Sequence, residues 1–241
     1  MYVEDWRLKP MVQGMVFDTA SGNTGMKAGA GPLLEKALYR DLIYIGCRHH
    51  VFEVMLSAVC AACLGPTSGP EMKLFKQFQE DWADIDQCNF QPANDELFVG
   101  MMENLRQQMV PFFAEAMKHK SAREDYDELL QLSHLFLCGS PDADVSFRAS
   151  GAKHNARWMA KATYSLNMFL FRGQAKLTKK QTAGLTKVSF FVSSVYARYW
   201  HEAAMPEKAP LNDLQLIALL HEYPDPEVRK AAIDAFYRHL W

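Results

Sequence analysis

Apolar positions form two short unbroken blocks near the start of the chain and then fall into helical spacing for nearly all the rest. The first block, Met11–Phe17, contains Gly14 and ends on Asp18, and Thr19 to Gly25 are then small, polar or glycine. An apolar run of strand length that breaks into such a loop predicts a buried strand delivering one carboxylate to a sheet edge. The second block, Leu42–Ile45, ends on Gly46 and leads straight into Cys47-Arg48-His49-His50. Pro32–Leu38 between them reads as helix. Consecutive strands joined by a helical crossover are parallel, and ligands of open α/β sheets gather at the carboxyl ends of the strands. Asp18 and the Cys47–His50 cluster are therefore expected on one rim. A two-stranded sheet is marginal by itself, so either strands are missing upstream or the helices bury this pair.

Beyond Cys47 the period becomes helical. His50, Phe52, Val54, Met55, Val59 and Ala62 predict a helix apolar on most of its circumference, hence buried. Leu64-Gly-Pro-Thr-Ser-Gly-Pro70 breaks it, and Leu74, Phe75, Phe78, Trp82 and Ile85 mark the next helix. Asn94-Asp95-Glu96 reads as the acidic, capping start of a helix running to about Lys118, with Pro111 as a kink or break. Ser121-Ala-Arg-Glu124 has capping-box spacing before Tyr126–Leu137, which Cys138-Gly ends. A long helix is expected from about Asn155, another capped by Thr178 and running to about Ala203, and two more at Asn212–Tyr223 and Val228–Leu240. Met1–Pro10 reads as the tail of a helix and its exit loop, and YRHLW as mid-helix, so the chain looks cut at both ends. The expected fold class is mostly α with a small α/β part, divided into residues 1–63 and an all-helical 64–241.

Composition narrows the function only a little. Of 241 residues, 49% are hydrophobic and 12% aromatic, enough for a substantial core. With 26 basic and 28 acidic residues the net charge is −2, which gives no support to nucleic-acid binding by bulk charge but leaves room for a local cationic patch. The five cysteines make an odd count, the start lacks a signal-peptide pattern, and no run approaches about 18 apolar residues; together these predict an intracellular chain with reduced thiols and no membrane span. Lys176–Lys180 is the nearest approach to a nuclear localisation signal.

Four groups carry candidate chemistry. Asp18, at a strand end beside a polar loop, suits a hard divalent cation, or else turns the chain by accepting the amides of Thr19–Ser21. The loop SGNTGMKAG lacks the spacing of a phosphate loop. Cys47, His49 or His50, Cys60 and Cys63 are the residue types of a zinc site, although Cys60 and Cys63 lie in an apolar helical run, where buried thiols are commoner. Lys153-His154-Asn155-Ala156-Arg157-Trp158 offers a guanidinium for phosphate and an indole for an unpaired base, or a core Trp with Arg157 in solvent. The acids Asp81, Asp84, Asp86, Asp125, Asp127 and Glu128 read as solvated helix faces.

The succession FDTASGNTG, then CRHH leading into an apolar helix, then a helical stretch carrying ARWM resembles the middle of a hAT-superfamily transposase, and more closely the domesticated or decayed hAT-like open reading frames of animal genomes. The resemblance implies a partial RNase H-like catalytic core over 1–63 and a helical insertion domain over 64–241. It implies Asp18 as the second of three acids that bind two Mg²⁺ or Mn²⁺ ions for DNA strand cleavage and transfer. Cys47 and His50 would be the family's C-x-x-H pair; Arg157 and Trp158, with His154 beside them, would handle a flipped base at the transposon end. It further implies nuclear localisation, transposon-end DNA as partner, and room for a homo-oligomer. The first acid would lie upstream of Met1, no residue is assignable as the third, and the N-terminal zinc-finger domain is absent. A two-metal centre needs several carboxylates, so the chain as it stands is not expected to catalyse strand transfer. The alternative is a helical protein-interaction or DNA-binding module without catalysis.

Overall fold

The computed structural model describes residues 2–66, 73–139, 147–148 and 159–240. The chain is mostly helical, and among the described residues it carries one two-stranded parallel sheet. After the short helix α1 (Tyr2–Asp5) come β1 (Gly14–Phe17), the helical turn α2 (Ser21–Thr24), α3 (Ala30–Leu38) and β2 (Ile43–Gly46). β1 and β2 pair in parallel with Gly14 opposite Ile43 and Phe17 opposite Gly46, joined through α3 as the pattern requires. β1 is shorter than the apolar run that announces it, and β2 begins and ends one residue later than its run. They are also not buried: β1 alternates between exposed and half-buried positions, and three of the four β2 residues are exposed. Periodicity reports which positions are apolar; it does not report whether a covering layer exists.

The core lies in the helices. α4 (Arg48–Leu64) starts directly from β2 and buries Val51, Phe52, Met55, Leu56, Val59 and Cys60. Its main partner is α12 (Pro226–Leu240), whose Val228, Ala232, Ala235 and Phe236 are buried at helical spacing. Phe52 and Phe236 stack with ring planes 2° apart. α8 (Met159–Leu170) is the centre of the body, since every one of its residues is buried. α7 (Glu124–Cys138) and α9 (Lys179–Phe191) pack against it. Close approach of α9 to the end of α4 depends on Gly184: a Cβ there would stand 2.2 Å from the carbonyl oxygen of Cys63. α10 (Ala197–Glu202) continues α9 through one wide, fully buried turn, Val192–Tyr196. Such a turn disturbs the regular carbonyl ladder, and Ser194 Oγ donates to the Phe190 carbonyl at 2.7 Å. α5 (Lys73–Glu80), α6 (Met101–Ala116) and α11 (Ala209–Glu222) complete the body.

Several local expectations change. The helix expected from Asn94 begins at Met101; Asp95–Leu97 is only a tight turn, and Gly100 with φ 61° reorients the chain before α6. That backbone region is open to glycine and costly for other residues. α6 runs on through Pro111, which is exposed along with Gln107, so the carbonyl four residues back that proline cannot satisfy faces water. The capping box at Ser121 does not form: Arg123 precedes α7 without a side-chain cap, and the Ser121 amide instead donates to Asp127 at 2.9 Å. The box at Thr178 does form, reciprocally with Gln181. Glu128 is buried rather than on a solvated face.

Candidate functional site

β1 and β2 run side by side, so their carboxyl ends share a rim. The Cys47 amide donates to the Phe17 carbonyl at 2.9 Å, which places the first residue after β2 beside the last residue of β1. Asp18 follows Phe17 and is exposed. Its Oδ1 accepts the Ala20 amide at 3.0 Å and Asn23 Nδ2 at 2.8 Å. The Ala20 hydrogen bond, then the Asn23 bond, then the nearby His50 hold the carboxyl below its usual range. Asp18 is thus an ionised carboxylate, and the turn-forming reading of it is realised at the same time as its display at the strand end.

Cys47 stands at the start of α4, and the four residues from Cys47 to His50 divide between rim and body. Arg48 turns into the body, pairing with Asp213 of α11 and lying over the rings of Phe52 and Phe236 at 5.4 and 6.0 Å. His49 also turns inward: its ring packs edge-on against Trp200 at 4.5 Å and hydrogen-bonds to the Trp200 backbone. Burial pushes His49 below its ordinary value. His50 stays on the rim side, close enough to Asp18 to act on it electrostatically. Its Nδ1 lies 3.9 Å from Glu53 Oε2, one turn along α4. Burial pushes the Glu53 carboxyl up to about 7. Glu53 and Asn23 are the site neighbours that motif reading misses; the i, i+3 spacing from His50 to Glu53 on one helix face is the signal that finds the first.

The zinc grouping does not assemble. Cys60 is fully buried, Cys63 is half-buried farther along α4, and burial pushes each thiol up to about 12, which disfavours the thiolate a metal needs. Among the described residues no three His, Cys, Asp or Glu side chains gather as a metal-holding group. Asp18 offers one hard oxygen donor, which fits a single bond to Mg²⁺ or Mn²⁺ but not a two-metal clamp. His154, Arg157 and Trp158 lie outside the described residues. No helix among the described residues is long and apolar enough to cross a membrane. No protein-family model, no curated protein and no solved structure matches this chain.

Proposed function

We propose that the chain derives from a hAT-like transposase, with β1, β2 and the rim they share as part of an RNase H-like metal-dependent nuclease core and the helices as its insertion domain. The observation that carries this reading is the parallel pairing of β1 with β2, which brings Asp18 and Cys47 to one rim with His50 beside them. Asp18 acts as a metal ligand, while Cys47 and His50 support the rim. Arg157, Trp158 and His154 contact the DNA end. Catalysis requires carboxylates beyond Asp18, so residues 1–241 alone bind DNA ends without cutting them. The test is binding to a labelled hairpin DNA and a single-stranded DNA across a salt series. Affinity that falls with salt and drops at least tenfold on Trp158→Ala supports the reading; unchanged binding in that variant, or none in the parent, counts against it.

A second reading, a helical interaction module without catalysis, is favoured by one observation: Leu211 and Leu214, three residues apart on α11, are both exposed. Its mark would be a partner whose binding is lost on Leu214→Lys while DNA binding is unaffected.

A further inference from the structure

Among the described residues, the sheet is covered on one face only. Alternation along the paired strands puts Gly14, Val16, Ile43 and Ile45 on one face and Met15, Phe17, Tyr44 and Gly46 on the other. α3 meets the second face: the Tyr44 ring lies against Gly31 and its hydroxyl bonds to Glu35, with Phe17 packed edge-on at 5.4 Å. On the first face Val16, Ile43 and Ile45 are 70%, 66% and 51% exposed. Side chains of this kind suit a covered pleated surface, and parallel sheets are ordinarily covered on both faces.

The open edge of β1 says what kind of group completes the layer. Ile43 donates its amide to Gln13 and Cys47 donates to Phe17, both at 2.9 Å. The odd-numbered residues of β1 therefore face β2, and the amides and carbonyls of Gly14 and Val16 point to the free edge. Such a row pairs with an extended strand. Handedness then places the rest. Parallel crossovers are right-handed, so the passage from β1 to β2 lays α3 on the Met15 face, and any unit continuing beyond β2 lays its helix on that same face. Only a unit leading away from β1 in the opposite direction covers the Val16 face. A second copy is a poor occupant, because pairing two four-residue edges buries far less than the roughly 1,200 Å² of a stable interface.

We propose that β1 and β2 are the docking site for a strand–helix segment of polypeptide outside residues 1–241: an aliphatic strand pairing along β1, followed by an amphipathic helix whose apolar stripe covers Val16, Ile43 and Ile45. The winding of the sheet then reverses beside β1, and the crevice at that reversal opens at Asp18. This rests on the sheet alone and not on the transposase reading.

The experiment follows amide hydrogen exchange in the 241-residue protein with and without a synthetic peptide. The peptide carries five alternating Val/Thr residues, a short turn and a 14-residue helix with a leucine stripe. The expected result is at least tenfold slower exchange at Gly14 and Val16 with saturating peptide, lost in Ile45→Lys and retained in Leu211→Lys and Asp18→Asn. No protection at those two amides overturns the proposal. So does protection that appears without peptide as protein concentration rises, with a sedimenting dimer lost in Val16→Lys, which makes a second copy the occupant. Flotation with phosphatidylcholine vesicles that Ile45→Lys abolishes, without peptide protection, makes it a lipid surface. Retention of peptide protection in Asp18→Asn alongside failed DNA binding in the parent protein would sink the nuclease reading and leave this one standing.

Discussion

α4 and β2 are joined by a single residue, Cys47, yet they belong to opposite regimes. In α4, six apolar side chains are closed off by α12, α9 and α8. In β2, Ile43 and Ile45 reach into solvent with nothing among the described residues over them. Both are apolar sequence; the difference is the number of neighbouring layers. Hydrophobic burial contributes in proportion to area removed from water, about 25 cal/mol per Å², so the body supplies nearly all of that driving force. The sheet is held by α3, by two ladder edges facing each other and by local bonds such as those at Asp18. Apolar burial is thus concentrated in one region while the other displays exposed polar groups such as Asp18, the arrangement expected of surface segments carried on a packed scaffold.

The contrast is sharpest in core truncation. Phe191→Ala, at a fully buried position beside Tyr223, should cost about 3–5 kcal/mol in urea denaturation, whereas Val16→Ala should cost less than about 0.5 kcal/mol. Comparable losses would mean that the sheet is packed after all. Next in size is Gly184→Ala, whose new methyl has the backbone of Cys63 in its way; separation of α9 from α4 should cost about 1–3 kcal/mol, and a neutral result would contradict that close approach. Arg48→Ala leaves Asp213 half-buried without its cation and should also cost about 1–3 kcal/mol, read by the same titration.

The smallest effect concerns pH. The Glu53 carboxyl sits at about 7 in the folded chain against an ordinary 4.5, so between those values the folded state holds a proton that the unfolded state has released. Its contribution is complete below about 4.5 and is lost as pH rises toward 7. Since Glu53 is only half-buried, the loss is on the order of 1 kcal/mol. His49 works in the other sense: burial lowers it, so its contribution is present above about 6.5 and falls away as pH drops through the folded value. The quantity to measure is therefore the difference between the parent protein and Glu53→Gln from pH 4.5 to 7.5, which should slope in the parent's disfavour with rising pH. A flat difference would mean that Glu53 is solvated.

Much of this contrast is legible in the sequence. The jump from strand-like blocks to helical period at Cys47, the breaker after Leu64 and the Thr178 cap follow from spacing, because each is set by neighbours in the chain; that the ends of β1 and β2 share a rim follows from the helical crossover that joins them. The exposure of Val16, Ile43 and Ile45 is not legible, because an apolar run looks the same whether or not a third layer is present. The inward turn of His49 escapes for a related reason: its partners, Trp200 and Tyr126, are distant in sequence. The wide turn at Val192–Tyr196 leaves no mark in apolar spacing, since all five residues are buried.

The rim itself is tested most directly by manganese. Mn²⁺ titrated into the isotope-labelled protein should broaden the amide signals of residues 18–20 and 47–50 together, and Asp18→Asn should abolish both effects. Broadening confined to one of those stretches, or unchanged by Asp18→Asn, would contradict a shared rim on which Asp18 binds the metal.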